Sequence, residues 1–420
     1  MVPWFKSRIF RQERAGTPAA NGTGVVDATF STSDARRKGW LFVLPWEPTA
    51  IGGVSRVVSE LAVSLANGST YDPYILVLDW EAREPTFHRS GAATVIRMRM
   101  RGRGPRWSRE RLMYWLTLPW SVQALRRLMS QMRVAVVNAH YPTDQALELL
   151  ARIRSMLPQA RTIVSFHGSD VSQLARLGQG DLSRWLRELG LANVVTFCSA
   201  GLMARLHAVL GASLTNATVR RNGASRWKRP THDRTREGAQ VTVLSVGTYH
   251  VNKAHDVLIG AFDLIAREHP ELHLMIVGRS GPTLQDIEAL VRSRGLSEHV
   301  TLRTDVALDD MGPLYDGALM FVSASRFEPF GISILEAGAA GLPVIATDTD
   351  GAKEILEDGN DSIVVPVEDA QSLARAIVSM ATNRDLRERL SRNLRAKVLR
   401  EFQWDAIARG WEALVADRTG

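Results

Sequence analysis

Short apolar runs alternate with longer amphipathic segments along most of the chain. The first run, Gly39–Pro45, predicts a buried strand, and apolar residues at helical spacing from Val54 to Ala66 predict a helix directly after it. The further predicted strands are Tyr74–Leu78, Val134–Val137, Arg161–Phe166, Asn193–Phe197, Val241–Val246, Leu272–Val277, Ala318–Val322 and Pro343–Ala346. This alternation favours parallel sheets covered by helices on both faces, so the pattern predicts an α/β fold.

The chain of 420 residues is too long for one ordinary domain. A polar, charged segment at residues 226–239 interrupts the alternation, and we interpret it as an interdomain linker. We therefore predict an irregular polar leader at 1–38, a first domain at 39–225, a second domain at 240–400, and a C-terminal helix within 401–420 that packs back on the first domain. Two doubly wound, Rossmann-like domains would face a central cleft, where such folds bind ligands at the carboxyl ends of their strands.

The composition is that of an ordinary globular protein, with 45% hydrophobic and 23% charged residues. This excludes a disordered, collagenous or disulfide-stapled chain. The single cysteine, Cys198, has no partner for an internal disulfide, which fits a reducing compartment. The N-terminal residues lack a signal-peptide pattern, and we find no apolar run of about 18 residues. We therefore expect a cytoplasmic protein that is soluble or bound peripherally to a membrane.

The formal net charge of +8 indicates an anionic partner. Residues 97–111 contain seven arginines and one glutamate, and four aromatic residues are interleaved or follow: Trp107, Tyr114, Trp115 and Trp120. Basic residues beside such aromatics are typical of proteins that contact an anionic bilayer, so we predict an anionic membrane surface as a partner. The alternative is a solvated, arginine-rich loop. Nucleic acid is not predicted, because the chain has no recognisable nucleic-acid-binding motif.

Residues 325–337 carry the most informative pattern. Glu328 lies in a Pro/Gly turn after a predicted strand, and Glu336 lies about one turn inside the helix that follows. The amides that would form the positive end of this helix belong to Phe330, Gly331 and Ile332. Such a helix end is open to an anion or a hydroxyl-rich ligand, and a carboxylate within the helix can accept hydrogen bonds from a vicinal diol such as that of ribose. Two surface carboxylates near a helix start are the alternative interpretation.

The segment from Glu328 to Glu336 resembles the E-x7-E motif of the retaining glycosyltransferases of family 4, which have the two-domain GT-B fold and use nucleotide-diphosphate sugars. The similarity continues through Glu336–Ala346 and Gly351–Ile355, and it runs from about Trp40 to the C-terminal helix. The resemblance implies that Glu328 and the amides after it hold the hydroxyls of the donor sugar. It implies that Glu336 holds the ribose hydroxyls of the nucleotide.

A glycine turn follows the strand Val241–Val246. Glycine lets the backbone approach a phosphate closely, and Lys253 adds a positive charge. The family pattern at this place is G-R-x-x-x-K-G, and Lys253 matches its lysine. Thr248 stands at the arginine position and Ala254 at the final glycine position, so one expected cation is missing. Arg279, after the next strand, is our candidate to replace it.

The first domain contains two further segments that resemble the family. Gly52 and Gly53 follow the first strand and resemble a glycine loop whose amides approach the diphosphate from the other domain. His167, in Phe166-His-Gly-Ser-Asp170, resembles the H-G-x-[DE] histidine that lies beside the donor sugar. His140 and Tyr141, after another strand, are assigned to the acceptor side.

The resemblance implies sugar transfer from a nucleotide-diphosphate sugar to an acceptor hydroxyl with retention of the anomeric configuration, without a metal ion or a cofactor. The catalytic candidates are His167, Glu328 and Lys253. We predict a hexosyltransferase that acts on a glycan or lipid-linked acceptor in the biosynthesis of cell-surface polysaccharide or lipopolysaccharide, on the cytoplasmic face of the inner or plasma membrane. The alternatives are another GT-B enzyme, such as a nucleotide-sugar epimerase, and a non-enzymatic basic adaptor at a membrane surface.

Overall fold

The structure is a computed structural model that describes residues 37–50, 52–68, 70–79, 82, 84–99, 108–224, 241–307 and 310–416. The predicted linker at 226–239 and all but the last two residues of the predicted leader lie outside this range. Three of the clustered arginines and one tryptophan also lie outside it: Arg101, Arg103, Arg106 and Trp107.

The first sheet has eight strands among the described residues. They are β1 (Lys38–Leu44), β2 (Tyr71–Asp79), β3 (Thr86–Ser90), β4 (Ala93–Arg99), β5 (Val134–His140), β6 (Arg161–Phe166), β7 (Val194–Phe197) and β8 (Ala217–Val219). Their order in space is β3-β4-β2-β1-β5-β6-β7-β8, and every neighbouring pair is parallel except the β3–β4 hairpin. The accompanying helices are α1 (Gly53–Gly68), α2 (Arg109–Gln131), α3 (Asp144–Met156), α4 (Ser169–Leu174), α5 (Gln179–Gly190) and α6 (Ala200–Leu210).

The second sheet has six described strands, all parallel, in the order β11-β10-β9-β12-β13-β14. These strands are β9 (Val241–Val246), β10 (Leu272–Gly278), β11 (Val300–Thr304), β12 (Met320–Ser323), β13 (Val344–Thr347) and β14 (Ile363–Val365). The helices that follow are α7 (His255–Asp263), α8 (Leu284–Ser293), α9 (Met311–Gly317), α10 (Ile332–Ala339), α11 (Asp350–Lys353), α12 (Ala370–Thr382), α13 (Arg384–Glu401) and α14 (Trp404–Val415). The prediction of two doubly wound parallel sheets is confirmed.

The strand order reverses once in each sheet. In the first sheet the chain moves outward from β1 to β2 and then returns to the other side of β1 as β5. In the second sheet it moves outward from β9 to β10 and β11 and then returns beside β9 as β12. The loops after the two central strands diverge at such a reversal and leave a crevice at the carboxyl ends. The loops after β1, β5, β9 and β12 are therefore where a ligand site is expected.

The basic segment differs from its sequence interpretation at two residues. Arg97 belongs to β4, where its guanidinium donates to Glu47 at 2.9 Å and lies 3.8 Å from Asp79, so its charge is compensated within the fold. Tyr114 is 2% exposed and its hydroxyl lies 2.6 Å from a carboxylate oxygen of Glu148. Alternation between strand and helix could not reveal either contact, because both partners come from distant parts of the chain.

The last helix belongs to the core of the first domain. The backbone amide of Ala224 donates to the carbonyl of Phe402 at 2.7 Å, where the chain crosses back to the first domain. Trp404 packs so closely on Gly223 that a Cβ there would lie 2.6 Å from the indole ring. From Trp404 onward, α14 buries one apolar side against β1 and α1.

This packing predicts a large difference between two Trp-to-Ala substitutions. Trp404 is 2% exposed, whereas Trp120 on α2 is 83% exposed. Trp404→Ala should lower the free energy of unfolding by about 3–5 kcal/mol, because it leaves a cavity in the core. Trp120→Ala should change it by no more than about 0.5 kcal/mol. Urea denaturation followed by circular dichroism measures both, and equal midpoints would contradict the core role of α14.

Candidate active site

The glycine loop of the first domain lies against the second domain. Gly52 and Gly53 stand at the start of α1, and both are exposed. A Cβ on Gly53 would lie 3.2 Å from Cδ1 of Ile332, the first residue of α10. The structure therefore brings the loop after β1 next to the start of the helix that carries Glu336.

Lys253 and Glu328 form an ion pair between two loops of the second domain. Lys253 ends a short 3-10 turn after β9, and Glu328 follows β12. The distance from Nζ to Oε2 is 2.5 Å, and the side chains are 21% and 9% exposed. A Cβ on Gly247 would lie 3.1 Å from Cδ of Lys253, so the glycine gives the lysine side chain room to lie over the turn. Lys253 and Glu328, both catalytic candidates, are thus in direct contact.

The turn after Glu328 packs against the first residues of α11. The amide of Gly351 donates to the carbonyl of Glu328 at 2.9 Å, and a Cβ on Gly351 would lie 2.4 Å from this oxygen and from the amide nitrogen of Phe330. Gly331 adopts φ +101°, which favours glycine, and α10 begins at the next residue. Phe330 is buried. Two glycines therefore determine where the first amides of α10 lie.

Glu336 lies on α10 and is held from two sides. The hydroxyl of Tyr315 donates to its Oε2 at 2.8 Å, and Nη2 of Arg56 lies 3.9 Å from its Oε1. Burial first, and then the charge of Glu336, raises the pKa of Tyr315 well above its ordinary value, so the phenol keeps its proton for this bond. Arg56 comes from α1 in the first domain, so the carboxylate contacts both domains.

The sequence patterns single out neither Arg56 nor Tyr315. Arg56 lies three residues after Gly53, and its position at the start of a helix beside a glycine loop is the signal that could have identified it. Tyr315 lies on α9, which carries no recognisable motif, and only the fold brings it to Glu336.

Thr248 and Arg279 lie on adjacent turns. The amide of Tyr249 donates to the carbonyl of Arg279 at 3.0 Å, and Cγ2 of Thr248 would lie 3.3 Å from a Cβ on Gly281. The Arg279 residue is exposed. The structure therefore places the proposed substitute arginine beside the position at which the family pattern has its own.

His167 follows β6 and is held at its backbone by Asp170. The carboxylate of Asp170 accepts hydrogen bonds from the amides of His167, Gly168 and Val171 at 2.7–2.9 Å. Burial raises the pKa of Asp170 to about 6, and these backbone donors oppose the rise. Gly168 has φ +139°, and a Cβ there would lie 2.2 Å from Cγ of Pro329. The histidine turn thus packs directly against the turn that carries Glu328.

His140 is the last residue of β5 and Tyr141 follows it, and their side chains contact two different environments. Nδ1 of His140 lies 2.9 Å from Nε2 of His167, and His140 is fully buried. The Tyr141 hydroxyl lies 3.1 Å from Oγ of Ser169 and accepts from Gln173 at 2.6 Å. The structure therefore separates the two residues that the sequence grouped together, because His140 contacts His167 whereas Tyr141 contacts α4.

One face of α2 exposes large apolar side chains. Leu112, Trp115, Leu116 and Trp120 are 60%, 51%, 61% and 83% exposed and lie at helical spacing. None of the helices that the structure describes has the length and hydropathy of a membrane span. Across the described residues there is also no cluster of three or more His, Cys, Asp or Glu side chains that could hold a metal ion.

Two family models match the chain over adjacent segments. The model described as Glycosyltransferase Family 4 matches residues 51–225, and the model described as Glycosyl transferases group 1 matches residues 231–397. Together they cover well over half of the sequence. The chain belongs to glycosyltransferase family 4.

Curated relatives of this family-4 glycosyltransferase have diverse names. It is 33% identical to mannosylfructose-phosphate synthase of Agrobacterium fabrum over 184 residues, which are 42% of this chain and only 40% of that protein. It is 28% identical over 307 residues to the GDP-mannose-dependent alpha-(1-6)-phosphatidylinositol monomannoside mannosyltransferase of Mycobacterium tuberculosis, covering 68% of this chain and 76% of the relative. A glycogen synthase of the same organism is 26% identical over 395 residues, covering 88% and 92%.

Solved structures share the fold over nearly the whole glycosyltransferase. Sucrose-phosphate synthase from Thermosynechococcus elongatus superposes with a TM-score of 0.73 at 23% identity, covering 90% of this chain and 98% of that one. HepE of Anabaena in complex with UDP-glucose gives a TM-score of 0.68 at 17% identity, covering 90% and 100%. Identities this low establish the fold alone. The predicted GT-B fold is confirmed.

Proposed function

We propose that this glycosyltransferase transfers a hexose from a nucleoside-diphosphate sugar to a hydroxyl of a glycan or lipid-linked acceptor, with retention of configuration and without a metal ion. The observation that carries the proposal is the placement of Glu328 and Glu336. Both lie where strand order reverses in the second sheet, one paired with Lys253 and the other held by Tyr315 and Arg56. A nucleotide sugar has sugar hydroxyls at one end and ribose hydroxyls at the other. Glu328, before α10, could bind the sugar hydroxyls, and Glu336, within α10, could bind the ribose hydroxyls.

The groups between these carboxylates suit a diphosphate. The start of α10, the exposed glycines at the start of α1 and the lysine after β9 lie around the same crevice. Free amides at a helix start and a nearby ammonium favour an anion. When the bond from the anomeric carbon to the diphosphate breaks, negative charge develops on the leaving oxygen, and donors already in place stabilise it.

We propose that configuration is retained because the acceptor oxygen attacks the anomeric carbon on the same face from which the diphosphate departs. The bond between the anomeric carbon and the diphosphate oxygen breaks, the acceptor oxygen bonds to the same carbon, and the acceptor proton passes to the leaving phosphate oxygen. Glu328 is not needed as a nucleophile. Its ion pair with Lys253 supports a role in holding hydroxyls and phosphate rather than in covalent attack.

Cell-surface polysaccharide or lipopolysaccharide biosynthesis is the proposed setting. The relatives include a phosphatidylinositol monomannoside mannosyltransferase and the lipopolysaccharide core biosynthesis glycosyltransferase LpsE of Rhizobium meliloti, whose names support a lipid-linked or glycan acceptor. A nucleotide-sugar epimerase would share the crevice but release its product without an acceptor, and a non-enzymatic adaptor would not need Lys253, Glu328 and Glu336 together.

A screen of sugar donors tests the proposal. UDP-glucose, GDP-mannose and ADP-glucose are offered to the full chain, and a bound donor should raise the melting temperature by mass action. The donor that binds should release its nucleoside diphosphate when a glycan or lipid acceptor is added, and NMR of the product should show the anomeric configuration of the donor. Inverted product, or release of free isomerised sugar nucleotide, would contradict the proposal.

Glu336→Gln and Glu328→Gln form a matched pair for the two proposed roles. Glu336→Gln should weaken the binding of the nucleotide sugar and of the free nucleoside diphosphate alike, by about 1.5–3 kcal/mol, because both contain ribose. Glu328→Gln should weaken only the nucleotide sugar. Calorimetry with both ligands measures the difference, and nucleotide affinity that is unchanged in Glu336→Gln would reject the ribose role.

Lys253→Ala should lower kcat by more than it weakens donor binding, because the charge of Lys253 acts mainly on the leaving diphosphate.

Arg279→Ala should also lower activity, since Thr248 leaves one cation of the family pattern missing. Arg292→Ala, on an exposed position of α8, is the control. Steady-state kinetics separate the two effects, and a change confined to KM in Lys253→Ala would indicate equal binding of ground state and transition state.

We also propose that the exposed face of α2 holds the enzyme on the anionic cytoplasmic surface of the inner or plasma membrane, close to a lipid-linked acceptor. Leu112, Trp115, Leu116 and Trp120 supply apolar area at helical spacing. Exposed arginines lie farther along the same helix at Arg126 and Arg127. A helix with tryptophan on one side and basic residues nearby matches the boundary between headgroups and acyl chains.

Vesicle co-sedimentation separates the apolar and the electrostatic contributions. Trp115→Ser with Trp120→Ser should weaken binding to vesicles of phosphatidylglycerol and phosphatidylcholine at any salt concentration. The triple variant Arg101→Gln, Arg103→Gln and Arg106→Gln should weaken binding to the vesicles at about 0.1 M salt. It should have little effect on binding at about 1 M salt, because the Debye length falls from about 10 Å to about 3 Å between these two concentrations. Leu399→Ser, an exposed position on α13, is the control. Binding equal to that of the wild type in both multiple variants would contradict the membrane proposal.

A further inference from the structure

His140 is a polar side chain in an apolar environment. It has no exposed surface, and its ring lies 5.6 Å from that of Phe42 and 6.0 Å from that of Trp411, measured between centroids. Its Nδ1 is 2.9 Å from Nε2 of His167, whereas its Nε2 is buried and forms no hydrogen bond with any residue that the structure describes. Burying an imidazole with one nitrogen unsatisfied is costly, so packing alone does not explain a histidine here.

The geometry of the pair determines where its protons lie. Burial lowers the pKa of His140 well below its ordinary value and that of His167 to about 4, so both rings are neutral at pH 7 and carry one proton each. A short contact between two nitrogens requires one of them to carry a proton and the other to accept it. If Nε2 of His167 carried the proton, the proton of His140 would sit on its own buried Nε2 without a partner. Orphaned buried N–H groups are rare, so the proton in the contact belongs to Nδ1 of His140.

We propose that His140 is a positioning residue that donates from Nδ1 to Nε2 of His167 and thereby fixes His167 as the tautomer with its proton on Nδ1. The Nδ1–H of His167 can then donate a hydrogen bond to the nucleotide sugar. Neither nitrogen of His167 is available as a base. His167 is partly exposed, and its Nδ1 forms no hydrogen bond with a described residue. That the N–H group of His167 binds a sugar rests on the proposed function, whereas the assignment of the tautomer does not.

The surroundings of the pair support a fixed orientation. Asp170 holds the backbone of His167 through its amide at 2.8 Å, so the ring has little freedom except rotation about its own side-chain bonds. The two imidazole planes are inclined by only 22°. A fixed N–H donor agrees with transfer of the acceptor proton to the leaving phosphate, because this route needs no histidine base.

NMR of the wild-type full chain tests the tautomer without any activity. The protein has ten histidines, and long-range proton–nitrogen spectra of the uniformly ¹⁵N-labelled chain at pH 7 show which ring nitrogen of each carries a proton. Spectra of His167→Gln and His140→Asn assign the two rings. We expect a proton on Nδ1 and none on Nε2 in both. A proton on Nε2 of His167 would overturn the proposal, whatever the enzyme transfers.

Two substitutions at His140 then test its role in the reaction. His140→Asn places an amide N–H near the position of Nδ1, whereas His140→Leu keeps a similar volume and removes the donor. Loss of one hydrogen bond should lower kcat about tenfold in His140→Leu, and His140→Asn should retain most of the activity. The affinity for UDP, GDP or ADP, whichever binds the wild type, should be unchanged in both variants, because a nucleoside diphosphate has no sugar at His167.

Equal kcat values for the Asn and Leu variants would overturn the positioning role, as would a parallel loss of nucleoside-diphosphate affinity, which indicates general damage to the fold. If no sugar donor supports transfer by the wild type, the proposed function fails, and the NMR result still decides the tautomer.

Discussion

The ion pair between Lys253 and Glu328 joins two loops that leave neighbouring strands at the reversal of the second sheet. Removing two charges from water costs free energy that is recovered only if their geometry is good, and losing one partner leaves the other buried and uncompensated. The pair therefore fixes the crevice wall. It also keeps the Lys253 ammonium in contact with the turn that precedes α10. Two further cations lie near these loops: Arg56 reaches Glu336 from the first domain, and Arg279 lies beside the turn at Thr248.

The two domains approach each other where side chains are smallest. Gly53 lies against Ile332, and Gly168 lies against Pro329 so closely that any Cβ would overlap the ring. Gly168 also has a φ of +139°, so both its conformation and its surroundings require glycine. These contacts bring one loop from the end of β1 and one from the end of β6 to the turn that holds Glu328. These glycines therefore allow two loops of the first domain to approach the turn that holds Glu328 and the start of α10.

The sequence predicts what depends on local pattern, and it fails where a role depends on a distant partner. Alternating strands and helices, and the spacing of Glu328 and Glu336, are local, so the fold and the motif could be read directly. The ion pairs of Arg97 and the buried hydroxyl of Tyr114 could not, because Glu47 and the helix α3 reach them only in three dimensions. A run of basic residues has the same appearance whether its charges face solvent or are compensated. The apolar face of α2 is a similar case, because the spacing of its residues does not show whether that face is exposed or buried.

A single stretch at the end of the chain supports both halves of the site. On α13, Leu394 packs on Gly338 of α10, where a Cβ would lie 2.9 Å from its Cγ, and α10 carries Glu336. The chain then crosses to the first domain, and Trp411 of α14 packs on His140. Because a close-packed interior transmits small displacements instead of absorbing them, a shift of this stretch would move the Glu336 carboxylate and the buried His140 imidazole together. The ring of His167 contacts that imidazole directly, because Nδ1 of His140 lies 2.9 Å from Nε2 of His167. The crossing segment therefore couples the geometry of the two sides of the crevice, although none of its own side chains carries any of the motifs.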